Sequence, residues 1–193
     1  MARLWQDDDW RAVCAGWVVR RGGVVAYPTE GVFGLGCNPA DSAAVGRILA
    51  LKRRRADKGL VLIAASVEQL RGYVAFPDSG IRDRVIGTWP GAVTWILPAG
   101  PKARRWLRGR HATLAVRVTA HPPARALCLR AGPLVSTSAN PAGARPARTA
   151  AAVRAYFGAG VDFILNAETG GLGGPTPIRD ACSGAELRPI QPA

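Results

Sequence analysis

The sequence predicts an α/β fold in which a twisted sheet of mixed parallel and antiparallel strands is flanked by helices. Short apolar runs alternate with amphipathic segments along the chain, which is the pattern of strands alternating with helices. A chain of 193 residues has the length of one domain. No internal repeat, low-complexity segment or linker-like stretch divides it. We therefore expect a single domain over residues 1–193, with its core from about 9 to 190.

The first helix is predicted to follow the three aspartates at 7–9, which can cap it, and to stop at Gly22 and Gly23. Its apolar residues recur at i, i+3 and i+4 spacing and predict a face that packs on the core. These residues are Trp10, Val13, Cys14, Trp17 and Val18. We expect the tryptophans other than Trp5 to pack against the protein. The apolar run at 24–27 then predicts the first strand.

The first strand leads into a turn made by Pro28, Thr29 and Glu30. Pro28 lacks a backbone donor, so it is expected to end the strand. Thr29 and Glu30 place polar side chains at the strand end, where open α/β sheets hold their ligands. The three glycines at 31–36 predict a loop whose backbone can closely approach a ligand. A plain strand–turn–helix connection is the alternative.

The second helix is predicted to begin at the capping pair Asp41 and Ser42 and to end in the basic cluster at 52–55. Cations at the last turn are favoured by the helix dipole. The cluster contains Lys52 and Arg54, which are two residues apart and suited to grip different phosphates of one nucleotide. A solvated helix end is the alternative.

The remaining elements continue the alternation of buried strands and capped helices. The predicted strands cover 60–64, 92–97, 113–118, 134–136, 161–165, 176–180 and 187–190, and the predicted helices cover 66–74, 81–86, 122–132 and 150–157. One strand residue stands out, because Arg117 lies within an otherwise apolar run. An unpaired buried charge is too costly, so Arg117 is expected to meet an anion of the protein or of a ligand.

The chain is strongly basic, with 26 lysines and arginines against 13 acidic residues and a formal net charge of +13. Such a balance favours polyanionic partners, either nucleic acid or nucleotide phosphates. An arginine-rich genome is the alternative source of the excess. The segment 101–110 is similarly open to two interpretations, as a nucleic-acid-facing loop with Trp106 for stacking or as a solvated loop that Trp106 anchors.

Several kinds of site are missing from the sequence. The four cysteines are scattered without a Cys-x-x-Cys pair, which argues against zinc and disulfides, and Cys37 and Cys128 are expected in the core. There is no phosphate-binding Gly-x-x-x-x-Gly-Lys loop, no His-Glu-x-x-His pattern and no Gly-x-Ser-x-Gly elbow. No signal peptide or membrane span is recognisable, so we expect the cytoplasm.

Cations and hydroxyls at strand and helix ends are the chemistry that remains. They are Thr29, Lys52, Arg54, Lys58, Arg117, Ser138, Asn140 and Thr176. Such a set suits a reaction in which charge develops on phosphate oxygens, because that reaction needs positioning and electrostatic stabilisation more than a side-chain nucleophile. Ser138 and Asn140 could hold a phosphate oxygen or act as Mg²⁺ ligands. The alternative is a turn at the strand end, in which their side chains hydrogen-bond the backbone of the same turn.

Five motifs in order resemble the YrdC-like family, and their spacing is similar to that of its bacterial threonylcarbamoyl-AMP synthases. The motifs are Pro28-Thr29-Glu30, Lys52-x-Arg54, Trp89-Pro90-Gly91, the strand 114–117 and Ser138-x-Asn140. The resemblance implies the YrdC-like fold and the condensation of L-threonine, bicarbonate and ATP, with Mg²⁺, into threonylcarbamoyl-adenylate and pyrophosphate. It also implies partner proteins that pass the threonylcarbamoyl group to an adenosine beside the tRNA anticodon.

The resemblance also implies roles for individual residues. Around the ATP phosphates it places the catalytic set Lys52, Arg54, Ser138 and Asn140. For further nucleotide contacts it indicates Lys58, Thr113, Arg148 and Arg188. In the L-threonine pocket it places Thr29, the backbone of Gly31, Arg117 and Thr176.

The chain departs from the family pattern at three positions. Arg55 and Gly59 stand where many members have proline, and Gly31 stands where many have a hydroxyl residue. Two other functions remain open from the sequence. One is a non-catalytic protein of the same fold that binds double-stranded RNA or tRNA and acts in rRNA or ribosome maturation. The other is a related carbamoyl-transferring adenylate former, as in hydrogenase maturation.

Overall fold

A nine-stranded sheet crosses the part of the protein that the structure, a computed structural model, describes, which is residues 9–189. The strands are β1 (Val25–Pro28), β2 (Phe33–Gly36), β3 (Val61–Ala64), β4 (Thr94–Pro98), β5 (Thr113–Val118), β6 (Leu134–Ser138), β7 (Phe163–Ile164), β8 (Ile178–Asp180) and β9 (Glu186–Arg188). The helices are α1 (Trp10–Arg20), α2 (Ser42–Lys52), α3 (Ser79–Ile86), α4 (Arg105–Arg108), α5 (Pro122–Ala131) and α6 (Ala150–Phe157).

The sheet is mixed, as predicted. Its strand order is β7-β1-β2-β6-β3-β5-β4-β8-β9. The pairs β1/β7, β3/β5 and β4/β8 are parallel, and the other five pairs are antiparallel. The α/β class is therefore confirmed. The order also brings β3, β5 and β6 together at the centre, where Arg117 lies on β5 and Ser138 ends β6.

Two apolar layers cover the faces of the sheet. One layer contains α1 and α5 and buries Cys128, while the other contains α2, α3, α4 and α6 and buries Cys37. Both cysteines are fully buried, as expected, and burial raises the pKa of the Cys37 thiol to about 12. No helix among residues 9–189 is long and apolar enough to cross a bilayer.

The predicted packing face of α1 is wrong. Trp10 and Trp17 are 64% and 53% exposed, and the buried face consists of small residues, among them Ala15 and Gly16. A Cβ atom on Gly16 would lie 2.7 Å from the Cβ of Arg130, so α1 packs too closely on α5 for large side chains to fit between them. The large apolar residues therefore face outward. Asp9 caps the helix, and residues 7 and 8 lie outside the described part.

Three other local predictions need correction. The glycine-rich stretch after the Pro28 turn is not a loop, because Phe33–Gly36 forms β2 and pairs antiparallel with β1. A Cβ atom on Gly36 would lie 2.7 Å from the ring of the buried Tyr27, so glycine makes room for that ring. The helix predicted over 66–74 is only a 3₁₀ turn at Glu68–Leu70. The basic segment 101–110 contains the short helix α4.

Candidate active site

A cavity of about 300 Å³ opens beside the central strands and receives most of the predicted site residues. Those that line it are Thr29, Arg54, Lys58, Thr113, Arg117, Ser138, Thr176 and Arg188. The other four are not among its lining residues: Gly31, Lys52, Asn140 and Arg148. Lys52 and Asn140 contact Ser138, whereas Gly31 and Arg148 contact the segment before Thr176. Two walls can be distinguished: the Arg117 wall (Thr29, Arg117 and Thr176, with Glu30 behind) and the Arg54 wall (Arg54, Lys58, Ser138 and Arg188).

The Arg117 wall contains an ion pair between Arg117 and Glu30. The sequence predicted that Arg117 needs an anion but did not identify Glu30 as that anion. Arg117 on β5 is 5% exposed, and its Nη2 lies 3.2 Å from a carboxylate oxygen of Glu30 in the turn after β1. The other Glu30 oxygen accepts a hydrogen bond of 2.7 Å from the Thr119 hydroxyl. The anion expected for Arg117 is therefore supplied by the protein, and the guanidinium is held in place before any ligand arrives.

Thr176, just before β8, completes this wall. Its hydroxyl accepts a hydrogen bond of 2.5 Å from Arg117 Nη1 and lies 3.0 Å from the hydroxyl of Thr94 on β4. Its carbonyl accepts a bond of 2.7 Å from Arg188 Nη2. Thr94 lines the cavity but was not predicted, although a polar residue inside an apolar strand was the available signal.

Thr29 and Gly31 shape the turn between β1 and β2. The Thr29 hydroxyl donates to the carbonyl of Val32 at 2.7 Å, which closes the turn, and Thr29 also lines the cavity. Gly31 is in contact with the segment before β8, because a Cβ there would come within 2.0 Å of the Gly174 carbonyl oxygen. Only glycine fits this approach.

The Arg54 wall carries cations without carboxylate partners. Arg54 donates to the Gly59 carbonyl at 2.9 Å, and among residues 9–189 neither Arg54 nor Lys58 nor Arg188 makes a salt bridge. Burial lowers the pKa of Arg54, and burial together with Arg117 and Arg54 lowers the pKa of Arg188. The Arg188 shift therefore includes repulsion from neighbouring cations, whereas that of Arg54 reflects burial alone.

Three arginines that line the cavity have a buried donor with no partner. The Nε atoms of Arg54, Arg117 and Arg188 are shielded from solvent and make no hydrogen bond. A buried donor without an acceptor costs about 1–3 kcal/mol, and more when it is charged. Guanidinium groups bind carboxylate and phosphate oxygens well. The arrangement is thus suited to anionic ligands.

Lys52 is turned inward and supports the end of β6. It is 6% exposed, and its ammonium donates to the carbonyl of Ser138 and, at 2.8 Å, to that of Asn140. Burial and the charge of Arg54 lower the pKa of Lys52 to about 8. The cluster at 52–55 is therefore not a simple solvated helix end.

Asn140 is also committed to this turn. Its side-chain oxygen accepts from the Ser138 hydroxyl at 2.6 Å and from Lys52 at 3.3 Å, and its amide nitrogen donates to the carbonyls of Pro141 and Ala144. Lys52 and Asn140 together fix Ser138, whose hydroxyl oxygen keeps its lone pairs for a ligand. Among residues 9–189, no three His, Cys, Asp or Glu side chains cluster closely enough to hold a metal.

Arg148 is an exposed residue next to the glycine strap, which is Gly170–Pro175. Its guanidinium donates to the Gly173 carbonyl at 2.9 Å and contacts that of Leu172 at 3.4 Å. The predicted nucleotide contact of Arg148 stays a prediction.

The fold and the cavity define a class: an α/β protein whose strand ends form an arginine-rich pocket suited to anionic groups. Similarity to known proteins identifies the family. The family model for Sua5, YciO and YrdC, described as telomere recombination, matches residues 18–190. The chain therefore belongs to the Sua5/YciO/YrdC family, and the predicted resemblance is confirmed.

Curated relatives and a solved structure support membership of this family. The chain is 54% identical over 181 residues to the threonylcarbamoyl-AMP synthase of Nitrosococcus oceani, covering 93% of this chain and 98% of that protein. It is 55% identical over 171 residues to the protein of the same name from Halorhodospira halophila, covering 88% of this chain and 90% of that one. The crystal structure of P. abyssi Sua5 complexed with L-threonine superimposes with a TM-score of 0.84 at 32% identity over 93% of this chain. This chain spans about half of that protein, 53% of its length.

Proposed function

We propose that this chain is a threonylcarbamoyl-AMP synthase, which forms L-threonylcarbamoyladenylate and pyrophosphate from L-threonine, bicarbonate and ATP. The threonine amine attacks CO₂ and loses a proton, or attacks bicarbonate with the loss of water, to give a carbamate. A carbamate oxygen then attacks the α-phosphorus of ATP, and the bond to the β-phosphate oxygen breaks as pyrophosphate leaves. The reaction needs no protein nucleophile, which agrees with the absence of nucleophile motifs from the sequence.

One observation carries this proposal: Arg54, Arg117 and Arg188 line a single cavity, and among residues 9–189 neither Arg54 nor Arg188 makes a salt bridge. Two anionic groups that meet in one place, an amino-acid carboxylate and a triphosphate, would balance this positive charge. The names of the relatives and the L-threonine bound to P. abyssi Sua5 support the same substrates. They do not favour the non-catalytic RNA-binding alternative.

The two walls would divide the substrates. Arg117 and Thr176 would hold the threonine carboxylate, with Thr29 beside the amine end. The Arg54 wall would hold the triphosphate and stabilise the charge that develops as pyrophosphate leaves. Lys52 and Asn140 would act through the turn that presents Ser138, and Thr113, with Lys58, would contact the nucleotide.

Mg²⁺ would enter with ATP and neutralise charge on the phosphate oxygens. The Ser138 hydroxyl fits a role as its ligand, because it donates its hydrogen to Asn140 and keeps its oxygen free. The oxygen of Asn140 already accepts two bonds. We propose further that the protein works in the cytoplasm and that partner proteins transfer the threonylcarbamoyl group to tRNA. Direct binding of tRNA to the basic surface of this chain stays a prediction.

Pyrophosphate release tests the proposal. Purified protein with ATP, Mg²⁺ and bicarbonate is expected to release pyrophosphate only when L-threonine is added. Release that is equal without threonine would reject the synthase function. The variants Lys52→Ala and Arg54→Ala are expected to abolish release, with Arg145→Ala, an exposed arginine outside the cavity lining, as the matched control. Circular dichroism would show whether each variant remains folded.

A further inference from the structure

The glycine strap (Gly170–Pro175) crosses the turn between β1 and β2 and leads directly into the cavity. The amide of Gly170 donates to the Thr29 carbonyl at 3.0 Å, and the amide of Leu172 donates to the Glu30 carbonyl at 2.9 Å. The next residue after the strap is Thr176, which contacts Arg117. The position of the strap therefore sets the position of Thr176.

Arg148 holds the other side of the strap. It donates to the carbonyls of Gly173 and Leu172, and no other side chain among residues 9–189 donates a hydrogen bond to these two carbonyls. The residue before it is firmly placed, because the Ala147 amide donates to the Ala139 carbonyl and the Ala147 carbonyl accepts from Phe33. Arg148 thus joins the segment after Ser138 to the strap.

We propose that Arg148 is a positioning residue for the amino-acid side of the pocket, which fastens the glycine strap so that Thr176 stays beside Arg117. The same position of the strap requires glycine at residue 31, because any side chain there would clash with the Gly174 carbonyl oxygen and displace the strap. The inference rests on the proposed function and goes beyond it, because it gives an exposed arginine outside the cavity an influence on threonine rather than on ATP.

The role predicts a specific kinetic signature. Arg148→Ala is expected to raise the KM for L-threonine about 5- to 30-fold, the effect of losing charged hydrogen bonds, and to leave the KM for ATP within about twofold. Gly31→Ser is expected to raise the threonine KM in the same way. Arg148→Lys, whose ammonium can reach one carbonyl, is expected to restore part of the loss. Arg145→Ala is the matched control and should change neither KM.

Amide hydrogen exchange gives a readout that does not depend on turnover. In Arg148→Ala the amides of Gly170 and Leu172 should exchange about tenfold faster, while the amide of Phe33, which bonds to Ala147, should keep its protection. Unchanged exchange at both strap amides would overturn the inference. A rise in the KM for ATP alone would also overturn it and would favour the nucleotide contact.

Direct threonine binding separates this inference from the proposed function. Calorimetry with L-threonine alone is expected to show weaker binding to Arg148→Ala than to the unmodified protein. If threonine binds and the variant weakens it, but no pyrophosphate is released by either, the synthase proposal fails and the strap role stands. If release occurs and both proteins bind threonine equally, the strap role fails and the synthase proposal stands.

Discussion

The two walls of the cavity differ in how their charge is balanced. On the Arg117 wall the guanidinium is matched by the Glu30 carboxylate, at 3.2 Å. On the Arg54 wall the cations have no carboxylate within salt-bridge distance in residues 9–189. A matched charge fixes geometry, whereas an unmatched one costs stability and is compensated when an anion binds. The difference suggests that one wall is built to orient a small substrate and the other to attract a highly charged one.

Removing a cation from the Arg54 wall should give the largest loss of activity. Arg54→Gln is expected to lower the rate of pyrophosphate release about 100-fold or more, because a donor to the reacting phosphates is lost. Its free energy of unfolding should stay the same or rise by about 1 kcal/mol, since an unmatched charge is removed. Urea unfolding and the release assay measure both. Arg53→Gln, at an exposed neighbour, is the control, and a large loss of stability in Arg54→Gln would contradict the comparison.

Removing the counter-charge of Arg117 should lower stability, whereas removing Arg54 should not. Glu30→Gln leaves the buried guanidinium of Arg117 without its counter-charge and is expected to lower the free energy of unfolding by about 2–4 kcal/mol. Urea denaturation at pH 7 would measure this change. Glu68→Gln, at an exposed glutamate, should change stability by less than about 0.5 kcal/mol. Equal effects of the two substitutions would show that the ion pair does not stabilise the wall.

The pH dependence of stability should show the unmatched charge of Lys52. Burial and Arg54 lower its pKa to about 8, below the ordinary value of 10.5, so the unfolded chain binds more protons between these values. Stability should therefore rise as the pH increases from about 8 to 10.5, by about 1–3 kcal/mol from this group. Lys52→Met should lack that increment. Unfolding curves for both proteins at pH 7 and pH 10 give the difference, and identical pH dependence would refute the assignment.

The smallest effect is expected from Thr94, whose hydroxyl contacts Thr176 of the Arg117 wall. Thr94→Val keeps the side-chain shape and removes the hydroxyl that lies 3.0 Å from Thr176. The loss of one hydrogen bond, about 1 kcal/mol, should raise the KM for threonine about 3- to 10-fold. The KM for ATP serves as the internal control. If both constants rise together, the two walls are not separate binding regions.

The sequence predicted the strands and the site residues better than it predicted the contacts between those residues. Strand patterns are local, so β3, β5 and β6 were found near their true bounds. The need of Arg117 for an anion was also visible, but Glu30 lies far away in the chain, and only the folded sheet brings the two together. Lys52 was assigned to the phosphates, whereas the carbonyls that turn it inward belong to the distant end of β6.

The first helix shows why hydrophobic periodicity can fail. The pattern favours the largest apolar residues as the buried face. In α1 the close approach to α5 instead requires small residues such as Ala15 and Gly16, and Trp17 lies outside under the guanidinium of Arg21. Nothing within the helix itself reveals how close its neighbour will be. The distance between two packed helices depends on the residues of both helices.

Isotope incorporation tests the proposed reaction most directly. The protein would be incubated with Mg²⁺, L-threonine, ATP labelled with ³²P at the α-phosphate and bicarbonate labelled with ¹⁴C, and the products would be separated at once. We expect one new product that carries both labels in equal amounts and forms together with pyrophosphate. A product that carries the phosphate label without the carbon label, or no doubly labelled product at all, would contradict the function.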